Sequence, residues 1–304
     1  MSPATAANDT SGRNSCLLML VIYAVLTTVY TLVLQTVVTA YALPLALALA
    51  VFGSLFVGSL VSVVVFPDET RWVREAQRGH RPRTRDLCAI CGRVGGDAEP
   101  APISGEPALA WDLEVYDRRY SSIQKQTRKV LKYKGMGRVP IVVEGATGQV
   151  RLHGLLEIDQ VAAQTTTAEK VMPELEALTE DPSMQAFSLR WKGVTGHLEE
   201  FQTDDSSYRK LRHDPKVKLR PTYPVEERIL RPGDEVCALG VFDREANALR
   251  GRSSLGVARI QILPGSPGRV LARLRRRTWV GLAAMTALFL ASHGLIAAVL
   301  FWNR

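Results

Sequence analysis

Two long stretches without charge constrain this chain more than any other feature. Residues 14–67 are 54 consecutive positions lacking Asp, Glu, Lys and Arg, and residues 278–303 are another 26. A helix that crosses the hydrocarbon core of a bilayer needs about 20 apolar residues. The first stretch is therefore long enough for two crossings and the second for one. The near-zero mean hydropathy of the 304-residue chain hides this segregation. Residues 67–277 hold 36 of the 38 basic and 29 of the 30 acidic residues, so they read as a water-soluble domain of net charge +7.

Pro44 marks the break in the first stretch and predicts helices over 16–40 and 43–66, the second ended by Pro67 and Asp68. The third is expected over 278–302. Its flanking Trp279 and Trp302 would lie about 35 Å apart at about 1.5 Å per residue, which suits anchors at the two headgroup layers. A cleavable secretory signal competes for the first segment, because Ala40-Tyr41-Ala42 has the form of a cleavage site. Against it, the apolar stretch is about 23 residues, whereas a signal core has about 7–15.

Arg71, Arg74, Arg78, Arg81, Arg83 and Arg85 follow the second expected helix, and Arg269, Arg273, Arg275, Arg276 and Arg277 precede the third. The positive-inside rule then predicts an integral membrane protein with a cytoplasmic middle domain and the C-terminus outside. Ser54, Gly58 and Ser62, and likewise Ala283, Ala287 and Ala291, recur every four residues, a spacing that lets helices pack closely on each other or on a second copy. His293 and Gln35 are the polar exceptions. A neutral His hydrogen-bonded between helices is favoured over an ion pathway, because no carboxylate accompanies it.

The expected organisation is a short tail (1–15), two membrane helices (16–66), an Arg-rich stalk that begins as a helix (67–86), a mainly β domain (87–265), a basic juxtamembrane segment (266–277) and the third membrane helix. Short apolar, β-branched runs at 87–94, 109–116, 139–144, 149–152, 186–191, 235–242 and 258–263 read as strands. Residues 139–144 and 149–152, joined by Gly145-Ala-Thr-Gly148, read as a hairpin. Residues 168–178 fit a helix with Thr167 as N-cap. The rest of 155–224 looks irregular, with 203–221 a loop. The expected fold class is thus three transmembrane helices plus one β-sandwich or partly open barrel.

Four segments in order resemble the GIDE domain (also called the BAM, or "beside a membrane", domain). They are Cys91-Gly-Arg-Val-Gly95, Ala101-Pro-Ile-Ser-Gly-Glu-Pro107 with the strand after it, the hairpin at 139–152, and Glu226-Glu-Arg-Ile-Leu-Arg-Pro-Gly-Asp-Glu-Val-Cys-Ala-Leu-Gly240. The hairpin turn departs from the Asp-x-Thr-Gly expected of the family. The best-known relatives are mitochondrial membrane E3 ubiquitin ligases whose activity belongs to a C-terminal RING finger. A RING needs about eight Cys or His ligands for two zinc ions, and no such set follows Trp302 here. The resemblance therefore implies a RING-less member of the family, and the Arg-over-Lys bias, 29 to 9, suggests a bacterial one.

Catalytic signatures are sparse. Cys88-Ala-Ile-Cys91 is half of a zinc ribbon whose other half is missing, since Cys237 stands alone and the histidines are scattered. In a strand, positions i and i+3 also face opposite ways, so ordinary semi-buried cysteines are favoured over a metal site. No cofactor is expected. Four cysteines, one at a membrane edge, make no disulfide framework. Gly251-Arg-Ser-Ser-Leu-Gly256 is one residue too long for a nucleophile elbow, and no nucleophile, base and oxyanion site assemble.

The basic run Lys125, Arg128, Lys129, Lys132, Lys134 and Arg138, with Tyr133 among it and a second group at Lys216, Lys218 and Arg220, is the one candidate binding feature. Beside a bilayer whose cytoplasmic face is anionic, each nearby Lys or Arg contributes about 1 kcal/mol of attraction, so anionic lipid is preferred to nucleic acid as the partner. Strand alternation would place Lys129, Leu131 and Tyr133 on one face. The expected role is a membrane-anchored interaction or scaffold module at the inner face of a bacterial membrane, with a protein partner or self-association. The alternatives are an enzyme or enzyme subunit with ubiquitin-transferase-like activity and an effector that senses an anionic ligand or nucleotide.

Overall fold

The computed structural model describes residues 25–32, 49–51, 53–54, 56–57, 69–80, 82, 86–121, 126–146, 148–186, 189–192, 195–198, 207–213, 219–254 and 257–302. The chain forms two compact units, Glu69–Ala272 and the pairing of Met1–Asp68 with Arg273–Arg304. Elements are numbered below in chain order.

The larger unit is built on a closed ring. Strand β1 (Leu87–Gly95) pairs antiparallel with β6 (Val142–Gly145), and β6 with β7 (Gly148–His153). Strand β7 runs parallel to β16 (Ala248–Arg250), which pairs antiparallel with β15 (Glu235–Asp243). Strand β15 returns antiparallel to β1 and closes a five-stranded barrel. Counted along the chain, the ring order is first, second, third, fifth, fourth, the strand number and Greek-key character of OB-type barrels. Strand β18 (Val257–Pro264) extends this sheet from β15, and β17 (Arg252–Ser254) and β8 (Leu155–Glu157) pair with β18.

Period-two alternation selects the inward residues, as a barrel requires. Ile90 and Val94 of β1, Val150 and Leu152 of β7, and Val236 and Ala238 of β15 fill the barrel with Leu249, Ile260 and Ile262. Gly92 sits opposite Gly145, and a Cβ there would run into the backbone of Glu144. The 142–153 hairpin turns through Gly148 at φ +101°, a conformation that glycine adopts without steric cost.

A second sheet has the order β10-β13-β5-β4-β14-β9. Its members are β4 (Ala110–Ser121), β5 (Gln126–Arg138), β9 (Ala163–Thr167), β10 (Gln185–Ala186), β13 (Tyr208–His213) and β14 (Pro224–Leu230). One face carries Trp111, Leu113, Val115, Tyr133, Val225 and Ile229. That face buries a 3-10 turn (Ala168–Val171) and helix α2 (Met172–Glu180) through Ala168, Val171, Leu175 and Leu178. Thr167 is the N-cap residue of the turn, but its side chain makes no capping bond. Helix α1 (Glu69–Gln77) belongs to the same unit and buries Trp72 and Val73. Two small ladders complete the described strands, β2 (Glu99–Pro100) with β3 (Pro107–Ala108) and β11 (Leu189–Lys192) with β12 (Thr195–Leu198).

The expected fold class needs correction. Among the described residues a single helix, α3 (Pro267–Trp302), includes a stretch long and apolar enough to span a membrane, Pro267–Leu295, so there is one candidate span and not three. Charge-free length alone predicted the other two. Of those expected helices only residues 25–32 and parts of 49–57 are described, as helical pieces, and the remainder lies outside the described residues. The β domain is a closed barrel with an attached sheet, where a sandwich or partly open barrel was expected. Residues 155–224, expected to be irregular, supply β8 to the barrel sheet and β9, β10 and β13 to the second. Strand β13 also falls inside the expected 203–221 loop.

In the smaller unit the Tyr30 hydroxyl and His293 Nε2 are 2.8 Å apart, and His293 Nδ1 lies 2.8 Å from the Phe289 carbonyl. Phe289 also stacks on Phe56 at 4.7 Å. The imidazole is thus hydrogen-bonded between two helices. Ser54 is buried and donates to the Val51 carbonyl, whereas Ala283, Ala287 and Ala291 are all exposed. The described packing of α3 here uses Phe289 and His293, not the alanine stripe. Gly58, Ser62 and Gln35 lie outside the described residues.

Candidate functional site

Among the described side chains of the basic run, Lys129 and Lys134 are ion-paired and Arg138 is buried. Lys125 lies outside the described residues, and Arg128 is described in backbone only, opposite Arg119 on β4. The β4–β5 register shifts between Val115 and Tyr116, so Val115 faces Tyr133 and Tyr116 faces Leu131, which leaves Lys132 as the extra residue. Such a bulge moves side chains from one face of a strand to the other. Tyr133 turns into the core under α2, while Lys129 and Leu131 join Lys134 on the opposite face. The simple alternation that grouped Lys129, Leu131 and Tyr133 therefore fails at one inserted residue.

On that opposite face the cations are met by carboxylates from neighbouring strands. Lys134 Nζ is 2.7 Å from Glu114 Oε1 and 3.3 Å from Asp112 Oδ1. Arg228 lies 3.0 Å from Glu226 and 3.9 Å from Asp112. Lys129 Nζ is 2.8 Å from Glu226 Oε1 and stands 4.2 Å over the Tyr116 ring. The Tyr116 hydroxyl donates to the same carboxylate at 2.6 Å. Arg138 is 3% exposed and donates to the carbonyls of Leu152 and Gly154, so it fastens β5 to the β7–β8 corner. Lys216 and Lys218 lie outside the described residues, and Arg220 is exposed.

A pocket of about 170 Å³ opens between this charged face and the edge of the barrel sheet. Asp112, Leu131, Lys134 and Met136 line one side, and Leu155, Glu157, Ile158, Asp159 and Arg259 the other. Tyr208 lines it too, its hydroxyl accepting the Leu156 N–H at 3.2 Å. Burial pushes the Asp112 carboxyl above its ordinary value against the pull of Lys134, and the charges of Glu114 and Asp159 add to the rise. Burial alone would depress Lys134, but the Asp112 and Glu114 carboxylates outweigh it and hold the ammonium above its ordinary value. Sequence reasoning picked out Lys134 but not Asp112, Asp159, Tyr208 or Arg259. Asp112 gave no signal of its own in the sequence, since Asp112 and Glu114 alternate with Trp111, Leu113 and Val115 as on any half-exposed strand.

The cysteines are arranged otherwise than expected. Cys91 of β1 and Cys237 of β15 are direct cross-strand partners, 4.0 Å apart at Cα, and form a disulfide. Cys88 is the free, buried cysteine on the same strand, and burial foremost pushes its thiol up to about 12. Cys91, one of the two weak metal candidates, is thus committed to another sulfur. Among the described residues no three His, Cys, Asp or Glu side chains are grouped to hold a metal ion.

The segments that carry the family resemblance meet in space. The Glu227 carboxylate, 2% exposed, accepts the backbone N–H groups of Ile103 at 2.9 Å and Ser104 at 3.0 Å. Glu106 accepts from Arg231 at 2.7 Å and Gln164 at 3.1 Å. The Gly233 N–H donates to the Val94 carbonyl at 2.8 Å, and Val94 returns a bond to Asp234 at 3.0 Å. These residues hold loops together and gather no reactive group. No family model, curated protein or solved structure matches this chain significantly.

Proposed function

We propose that this chain is a membrane-anchored interaction module, a β domain carried on helix α3, with no catalytic set of its own. The observation that carries the reading is α3. It starts as part of the β domain, with Val270 and Leu271 buried, and continues as the candidate span. Arg269, Arg273, Arg275, Arg276 and Arg277 are exposed along its first turns. Under the positive-inside rule these arginines support a cytoplasmic β domain with the far end of α3 outside. The GIDE resemblance belongs to the same proposal, its motif residues acting as fasteners of the fold. The cross-strand disulfide pulls the other way, since such bonds persist mainly in oxidising compartments. A reducing cytoplasm would hold the same two sulfurs as facing thiols.

Labelling decides the matter. Glu245 is exposed in the turn between β15 and β16. In intact cells, Glu245→Cys is expected to resist a membrane-impermeant maleimide and to react once the membrane is opened, with the parent chain as control. Labelling in intact cells would reverse the orientation, and release of the full chain by alkaline carbonate would remove the anchor.

A further inference from the structure

The pocket beside Asp112 has walls specific enough to name an occupant. Asp112 is 6% exposed, and its Oδ1, although 3.3 Å from Lys134 Nζ, accepts no hydrogen bond. An acceptor buried without a donor is rare in folded proteins, and each instance calls for a physical reason. The near donors are shared. Lys134 donates to Asp112 Oδ2 at 3.4 Å and to Glu114 at 2.7 Å, and Arg228 makes its short bond to Glu226.

The remaining charge of the lining is also lopsided. Lys134 is already shared between two carboxylates, which leaves Glu157 and Asp159 facing Arg259 as the only other cation of the lining. The other named walls, Leu131, Met136, Leu155, Leu156 and Ile158, are apolar. Such a pocket favours an apolar body with a charged N–H donor at one end, and it disfavours an anion. Size sets the scale, because a cavity of about 150 Å³ holds a molecule the size of benzene. About 170 Å³ therefore takes about six heavy atoms.

We propose that this pocket is a binding site for a small organic cation, an alkylammonium of about four to five carbons. Its N–H donors are taken by Asp112 and Asp159, and its chain lies against Leu131 and Ile158. Binding places a hydrogen-bond donor at Oδ1, whose cationic neighbour Lys134 is bonded instead to Oδ2 and to Glu114. Burial foremost raises the Asp112 carboxyl, which fits a buried charge that Lys134 compensates only in part. The inference is independent of the membrane anchor: a failed labelling experiment leaves it standing, and its own failure leaves the anchor standing.

The test uses the full chain in detergent micelles, titrated with n-butylammonium chloride and followed by calorimetry and thermal unfolding. Sodium butyrate, n-butanol and ammonium chloride serve as matched probes. Saturable binding of butylammonium is expected, with none of the butyrate. Asp112→Asn keeps the shape and removes the charge, and it should weaken binding by about tenfold or more. Leu131→Trp fills the pocket from its part-exposed wall and should abolish binding while the far-ultraviolet spectrum and the cooperativity of unfolding are unchanged. If Asp112→Asn does not fold, Leu131→Trp alone decides. Equal responses to butyrate or butanol, undiminished binding by a folded variant, or no saturation at about 50 mM would each overturn the proposal.

Discussion

Reducing the bond between Cys91 and Cys237 should separate the stability of the barrel from that of its strand ladders. The two residues are paired in register on β1 and β15, the strands whose pairing closes the ring, and they are 146 apart in sequence. Cross-linking so long a loop removes denatured-state entropy worth about 5 kcal/mol in the chain-entropy estimate, whereas measured disulfides more often contribute about 2–4. The unit that contains the bond, Glu69–Ala272, has about 200 residues. Each kcal/mol then shifts Tm by about 2–4 °C. Reduction should therefore lower Tm by about 4–20 °C without altering the native β spectrum.

The assay compares oxidised and reduced full chain of identical sequence by far-ultraviolet circular dichroism. Thiols are counted by alkylation in denaturant and intact mass. Alkylation should count two fewer thiols without reductant than with it, the pair Cys91 and Cys237. In the native chain, before denaturant is added, exchange with Cys88 should be absent, because the thiolate is the nucleophile and burial pushes this thiol up to about 12. Equal thiol counts with and without reductant would remove the bond, and equal Tm values in the two states would refute the loop-entropy argument.

Three further outcomes follow from the packing. Glu227→Ala should cost about 2–4 kcal/mol in urea unfolding, because two backbone N–H groups at Ile103 and Ser104 lose their acceptor; a loss below about 0.5 would show that the loop finds other partners. Gly137→Ala should destabilise by about 1–3 kcal/mol, since a Cβ there overlaps the Trp111 indole, and a neutral result would mean that the indole moves at no cost. The hydrogen bond from Arg231 foremost holds the Glu106 carboxyl below its ordinary 4.5, and Asp181 is lowered through its bonds with Ser183. Carboxyl groups lowered in the fold contribute stability above their unfolded values and lose it as pH falls through the lowered ones. Tm should therefore drop below about pH 4.5, less steeply in Glu106→Gln; parallel pH profiles of the two chains would contradict the assignment.

Local composition made much of the fold legible. The strands at 87–94, 139–152 and 235–242 were readable as short apolar, β-branched runs between Gly, Pro and Asp, and the hairpin because glycine bounds its turn. The helix after Thr167 was readable from the N-cap residue type at its start, although that side chain makes no capping bond. Strand β13 was hidden, because its Arg209, Lys210 and Arg212 look like solvated loop until the neighbouring strands are known. The expected shared face of Lys129, Leu131 and Tyr133 failed for a related reason: one bulge residue, Lys132, reverses which side chains share a face, and nothing in a single strand's sequence announces it.

What the sequence determined by itself is the segregation of charge, the apolar C-terminal helix and the strand-by-strand pattern, all of which depend on neighbours within a few residues. Tertiary structure alone decided that β15 returns to β1, that Cys91 meets Cys237, that Glu227 serves the loop at Ile103 and Ser104, and that Asp112 lines a pocket with an oxygen left unbonded. These facts depend on strand order and register across more than a hundred residues. Hydrophobic patterning chooses the face of each strand but is indifferent to which partner lies beside it.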